Sequence, residues 1–173
     1  IIEAVKEEAV ARAREPDEAL AESVALAAVK FAILRANPGQ NINFDPDTSL
    51  SFEGDSGPYL QYTHARIATL LAKAADEGLV PAYQAEVAGD VVETERHLAQ
   101  FEPTVAHAIT EYAPQQIVTY LLELARAFNA WYATDKMIDP TARDISAHRL
   151  AIAAATGQVI KNGLWLLGIS APN

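Results

Sequence analysis

A chain of 173 residues, half of them apolar, can bury one core with room for a small leading subdomain. The absence of cysteine excludes a disulfide framework and a thiolate zinc site, and with neither an apolar run of the ~18 residues a membrane span needs nor a basic n-region, a soluble, unsecreted protein is expected. A net charge of −10 argues against a general nucleic-acid binder, whose hold on phosphates usually needs clustered Lys and Arg.

Residues 1–14 read as an exposed, Glu-rich helix that opens in mid-pattern without an initiator methionine, so a piece of a longer protein is expected. Glu15-Pro16-Asp17 breaks it before a second helix over residues 18–36, which Asn37-Pro38-Gly39 ends. Ile42 and Phe44 alternate with polar neighbours, predicting a short extended segment over 40–44, and Asp45-Pro46-Asp47 signals a turn or helix start. Gly54 and Gly57 are expected to supply positive φ in the next loop, with Pro58 at the first helical position. That helix runs from Gly57 or Pro58 to Asp76 and stops at Gly78 with a left-handed cap.

On this helix Tyr59, Tyr62, Arg66, Leu70 and Lys73 fall within about 80° of one another, while Leu60, Ile67 and Leu71 form a second stripe roughly 100° away. The second stripe is expected to face the core. The first sets aromatic rings beside positive charge, which suits unstacked nucleotide bases with phosphates held close by. Residues 79–90 read as a linker. Two short amphipathic helices follow, 91–101 and 103–112, separated at Glu102-Pro103, and Pro114 opens the next. There Ile117, Leu121, Leu124, Phe128 and Trp131 share one stripe, with Tyr132 at its edge. Asp139-Pro140-Thr141 marks a turn, Thr141 with Asp144 forms an approximate capping pair, and a last helix reaches about Leu167 before Gly168. No repeat or heptad occurs, and the fold class is all-α, a bundle with short connections.

Charge is unevenly spread. Residues 76–116 hold eight acids and one base, whereas 23–75 and 117–173 are close to neutral and carry ten of the thirteen aromatic residues. Recognition by stacking and base-edge hydrogen bonds, with modest salt dependence, is therefore expected.

The run Ser51-Phe52-Glu53-Gly54-Asp55-Ser56-Gly57-Pro58-Tyr59-Leu60-Gln61-Tyr62-Thr63-His64-Ala65-Arg66 resembles the segment that precedes the helical, DALR-type anticodon-binding domain of arginyl-tRNA synthetases. Tyr120-Leu121-Leu122-Glu123-Leu124-Ala125-Arg126-Ala127-Phe128-Asn129-Ala130-Trp131-Tyr132 and the tail Leu166-Leu167-Gly168-Ile169-Ser170-Ala171-Pro172-Asn173 are similar to two further motifs of that family. Residues 24–35 resemble the helix that follows its Lys-Met-Ser-Lys loop. Thr63 stands where alanine is usual, Trp131 where phenylalanine is commoner, and the chain stops short of the family's terminal methionine.

The resemblance implies a helical bundle of the class I synthetase anticodon-binding type, with stem helices over 1–50 and the anticodon-binding domain over 51–173. It implies that Tyr59, Tyr62, Arg66, Asn129, Trp131 and Tyr132 contact RNA, while Gly54, Asp55 and Gly57 shape the loop. The implied partners are the anticodon loop of an arginine tRNA and the catalytic domain of the same chain. The implied parent is a monomeric cytoplasmic enzyme that joins arginine to tRNA through an arginyl-adenylate, using ATP with Mg. This region would hold neither catalytic residue nor cofactor, and the helix over 58–76 would relay anticodon docking to the distant active site.

Each of these residues also has a plain structural reading. The tyrosines could pack against a neighbouring helix, Trp131 and Tyr132 lie on or near an apolar stripe, and Asn129 could cap or pack as readily as read a base edge. His64 shares the inward face with Leu60 and Leu71 and is expected to be a hydrogen-bonded core residue that orients the loop. His97, His107 and His148 lack ligand spacing, so no metal site is expected. Lys136-Met137-Ile138-Asp139 only superficially matches a Lys-Met-Ser-Lys signature, and no His-x-Gly-His motif, P-loop or dinucleotide fingerprint occurs. The rival readings are an acidic helical protein-interaction module and the equivalent domain of another class I synthetase, such as the cysteinyl type.

Overall fold

The computed structural model describes residues 2–12, 17–84, 86, 89 and 91–172, with Arg12 in its backbone only. The expected end of the first helix, the break at Glu15-Pro16, parts of the 79–90 segment and Asn173 lie outside the described residues. Among the described residues there are eight helices and no strand: α1 (Ile2–Arg12), α2 (Glu18–Leu34), α3 (Pro46–Ser49), α4 (Gly57–Asp76), α5 (Glu93–Leu98), α6 (Phe101–Thr110), α7 (Pro114–Thr134) and α8 (Arg143–Leu166).

Local chemistry sets most of the boundaries. The Asp17 carboxylate accepts the N–H groups of Ala19 and Leu20 at 3.0 and 3.1 Å and starts α2. Asp45 does the same for α3, and Ser56 caps α4 by accepting the Tyr59 N–H at 3.0 Å. Gly78 and Gly168, at φ +68 each, end α4 and α8 as expected. The segment over 40–44 forms no paired strand: Ile42 is exposed, and an isolated apolar–polar alternation has no strand to pair with. The break between α5 and α6 falls at Ala99 and Gln100, because Pro103 sits in the first turn of α6, where its missing N–H leaves no bond unmade. The Thr141–Asp144 cap does not form either. Asp139 instead accepts both the N–H and the hydroxyl of Thr141, at 3.0 and 2.7 Å.

The main core joins α4, α7 and α8, with Ala27 and Phe31 of α2 packed into it. Leu60 and Ile67 point inward as the periodicity predicts, but Leu70 is buried too and Leu71 only half-buried. The helix therefore buries one flank of the expected outward stripe, because it meets α8 as well as α2 and α7. A smaller cluster of Val5, Val24, Ala25, Ala28 and Leu50 ties α1 and α3 to α2.

Two expectations are corrected by packing. The segment after α4 is no free linker: Leu79 is buried, Ala82 N–H donates to the Ala147 carbonyl at 2.9 Å, and Gln84 N–H donates to His148 Nδ1 at 3.2 Å under the Tyr83 ring. Gly57 lies within α4 and has no positive φ; only Gly54 in that loop does, at +81. Gly57 is needed for a different reason, since a Cβ there would sit 2.7 Å from the Ala27 carbonyl carbon on α2. The two glycines separate in a urea titration. Gly57→Ala should cost about 1–3 kcal/mol by forcing helix axes apart, and Gly54→Ala about 1 kcal/mol from its left-handed backbone alone. Equal, negligible losses would show that α2 and α4 do not meet this closely.

Candidate nucleic-acid interface

The loop ahead of α4 is held by side chains from three elements. Ser56 Oγ donates to the Ser51 carbonyl, and Ser51 Oγ accepts the Glu53 N–H at 3.0 Å. Arg126 of α7 pairs with the Asp55 carboxylate, and Arg35 Nη1, just past α2, donates to the Asp55 carbonyl at 3.3 Å. Asp55 is thus held from two helices. The pair is half-exposed, so it is worth at most ~1 kcal/mol of stability, and its effect is to fix where the loop lies.

Five expected site residues converge where α4 crosses α7. Asn129 is the hub: its Oδ1 accepts from Arg66 Nη1 at 2.8 Å, and its Nδ2 donates to Tyr59 OH and Thr63 Oγ1 at 3.0 Å each. A guanidinium can only donate, so the carbonyl end of the amide must face Arg66 and both amide protons go to α4. Thr63 in turn donates to the Tyr59 carbonyl at 2.9 Å. Asn129 therefore has both donors and its carbonyl engaged within the protein. In this arrangement it holds its neighbours, the packing role that the sequence also allowed.

Arg66 lies between two rings. Its guanidinium carbon is 4.8 Å from the Tyr62 centroid and 5.5 Å from that of Tyr132, and Nη2 donates to Tyr62 OH at 3.0 Å. Such cation–π contacts hold the planar group flat against the aromatic faces. Tyr62 is 43% exposed, whereas Tyr59, Arg66 and Tyr132 are half-buried, and Tyr59 packs against the core. Trp131 is brought in less directly. It is half-buried and meets Phe128 edge-on at 6.4 Å, while Phe128 also contacts Tyr132 at 5.9 Å. Lys73 is exposed two turns beyond Arg66.

Four participants escaped the sequence reading: Ser56, Thr63, Arg126 and Phe52. Ser56 was detectable from the Ser-Gly-Pro start signal of α4. Phe52 is 51% exposed and its ring lies 6.1 Å from that of Tyr62; no periodicity marks a loop residue of this kind.

The remaining polar groups are structural. His64 is buried and hydrogen-bonds the Pro172 carbonyl through Nδ1 at 2.9 Å, so it fastens the C-terminal tail and not the loop it was expected to orient. Gln61 supports the same tail through the Ser170 carbonyl at 2.8 Å. Tyr120 OH donates to the His97 carbonyl at 2.9 Å, and burial pushes its phenol pKa up. Met137 is buried in the core and Lys136 pairs with Asp139 at 3.4 Å. Among the described residues no group of three or more His, Asp or Glu side chains is placed to hold a metal, and no helix is long and apolar enough to cross a membrane. An apolar groove of about 530 Å³ between α6 and α8, lined by Val105, Ile109, Trp165 and Leu166 among others, shares no residue with the ring cluster.

Comparison with known proteins gives one consistent result. The DALR anticodon binding domain family matches residues 60–173. An arginine–tRNA ligase of Streptococcus suis is 37% identical across 99% of this chain, and one of Parabacteroides distasonis is 32% identical across 91%. The solved structure of Thermus thermophilus arginyl-tRNA synthetase superposes with a TM-score of 0.81 at 33% identity, over 99% of this chain and 31% of its own. The chain spans about a third of the length of the curated relatives it matches.

The hub makes a prediction of its own. Asn129→Ala should lower unfolding free energy by about 1–3 kcal/mol, because partly buried partners lose their bonds. Asn129→Asp, which still accepts from Arg66 and can accept the hydroxyl proton of Tyr59, should recover part of that loss in chemical denaturation. Equal losses in the two variants would contradict the arrangement.

Proposed function

The chain belongs to the DALR anticodon binding domain family, and we propose that it is the tRNA-binding region of an arginine–tRNA ligase, gripping the anticodon loop of arginine tRNA. The supporting observation is the Tyr62–Arg66–Tyr132 stack on the α4–α7 face, held in place before any ligand arrives. Aromatic faces accept splayed bases of any kind, and an embedded guanidinium adds donors and positive charge where the chain as a whole is acidic. In the parent enzyme residues 1–50 form the stem and 51–173 the anticodon-binding domain. Arginylation with ATP and Mg takes place on the catalytic domain elsewhere in that polypeptide, a monomer in the cytoplasm.

One observation favours a second role beside this one. The apolar groove at Trp165, which is 76% exposed, suits a protein contact, and a chain that served only as a protein-interaction module would ignore RNA.

Binding of a fluorescently labelled arginine-tRNA anticodon stem-loop separates the two. Tyr62→Ala should weaken it by about 5- to 150-fold, the range for losing one stacked base, while Trp165→Ala leaves it unchanged. The opposite pattern would place RNA in the groove, and no binding at all would refute the RNA role. In the full-length enzyme Tyr62→Ala should also slow arginine activation, because α4 runs from the ring cluster toward the far end of the bundle. Unchanged activation would refute that relay.

A further inference from the structure

Tyr62 has two ring faces, and the guanidinium of Arg66 covers one of them at 4.8 Å. The same guanidinium reaches Tyr132 at 5.5 Å. The space between the two tyrosines is therefore filled by the protein itself, and a base cannot enter there without ejecting a cation that also bonds Asn129 and Tyr62 OH. Arg66 approaches from one turn further along α4. Phe52 approaches from the loop ahead of the helix, with its ring centroid 6.1 Å from that of Tyr62 and the planes 59° apart.

We infer that Phe52 is an RNA-contacting residue, forming with the exposed part of the Tyr62 ring a stacking slot for one unpaired nucleobase. The inference rests on the RNA-binding role proposed above. A base laid on Tyr62 meets Phe52 near its edge, the tilted geometry that aromatic pairs favour alongside offset stacking. Both rings are about half exposed, at 51% and 43%, so two neighbouring aromatic surfaces stand in water. The backbone that carries Phe52 is nonetheless held. Phe52 sits between Ser51 and Glu53, joined by the Ser51 hydroxyl, and Ser51 is tied to Ser56 at the helix cap. Asp55, three residues on, is clamped by Arg126 and Arg35.

Charge indicates what enters. The carboxylate of Glu53 is exposed beside Phe52 and repels phosphate, whereas Arg66 and Arg126 lie toward α7. The slot therefore admits an uncharged base, and the sugar–phosphate strand runs on the α7 side. Any of the four bases can stack there, since stacking uses the π face that every base has.

The test uses the 173-residue chain and arginine-tRNA anticodon stem-loops carrying 2-aminopurine, whose fluorescence is quenched by stacking, at each loop position in turn. The wild-type chain should alter one position most. Phe52→Leu, which keeps apolar bulk but removes the π face, should abolish most of that change and weaken binding about tenfold, within the range for one base–aromatic stack. Phe52→Trp should restore both, and matching thermal melts for all three proteins exclude a folding effect. A wild-type chain that ignores the stem-loop overturns the RNA role and this inference together. A wild-type chain that binds, with Phe52→Leu giving the same affinity and the same fluorescence, overturns the inference alone.

Discussion

The amide of Asn129 is the contact on which the candidate site depends, because one side chain from α7 fixes three side chains of α4 at once. Each hydrogen bond nets only ~1 kcal/mol, and the core contributes far more to stability. What the amide supplies is a single arrangement. With its carbonyl committed to Arg66 and its protons to Tyr59 and Thr63, neither helix can slide or rotate against the other without leaving a polar group unpaired in a low-dielectric seam. Arg66 is then held flat, and the rings on either side of it are held in turn.

Such preorganisation answers the difficulty raised by the net charge of −10. A protein with this balance cannot draw RNA in by a broad positive field. It can bind through a few rigid aromatic faces that lose little conformational freedom on contact, with one guanidinium held among them. Acidic residues outnumber basic ones over 1–22, seven to three, and over 76–116, eight to one, and neither stretch holds any of the ring cluster.

The parts of this fold legible in the sequence are those with local causes. Asp17, Asp45, Pro58 and Pro114 announce helix starts, Gly78 and Gly168 announce stops, and the stripe Ile117–Leu121–Leu124–Phe128 announces the buried face of α7. What could not be read has its cause in tertiary contact. Gly57 looks like a turn glycine but is required by the carbonyl of Ala27 on another helix. Residues 79–84 look like a linker but are bonded to Ala147 and His148. In the site, ring spacing along α4 was visible, yet the engagement of Asn129, the clamping of Asp55 by Arg126 and the nearness of Phe52 to Tyr62 each join positions far apart in the chain or lie in a loop without period.

The central claim is that RNA meets this chain at the crossing of α4 and α7. Titrating the isotopically labelled protein with an arginine-tRNA anticodon stem-loop while following backbone amide resonances tests it most directly. The account predicts that the largest shifts cluster at residues 52–66 and 126–132 and that those of 101–109 and 162–166 stay in place. Shifts confined to the α6–α8 groove, or none anywhere at saturating RNA, would contradict it.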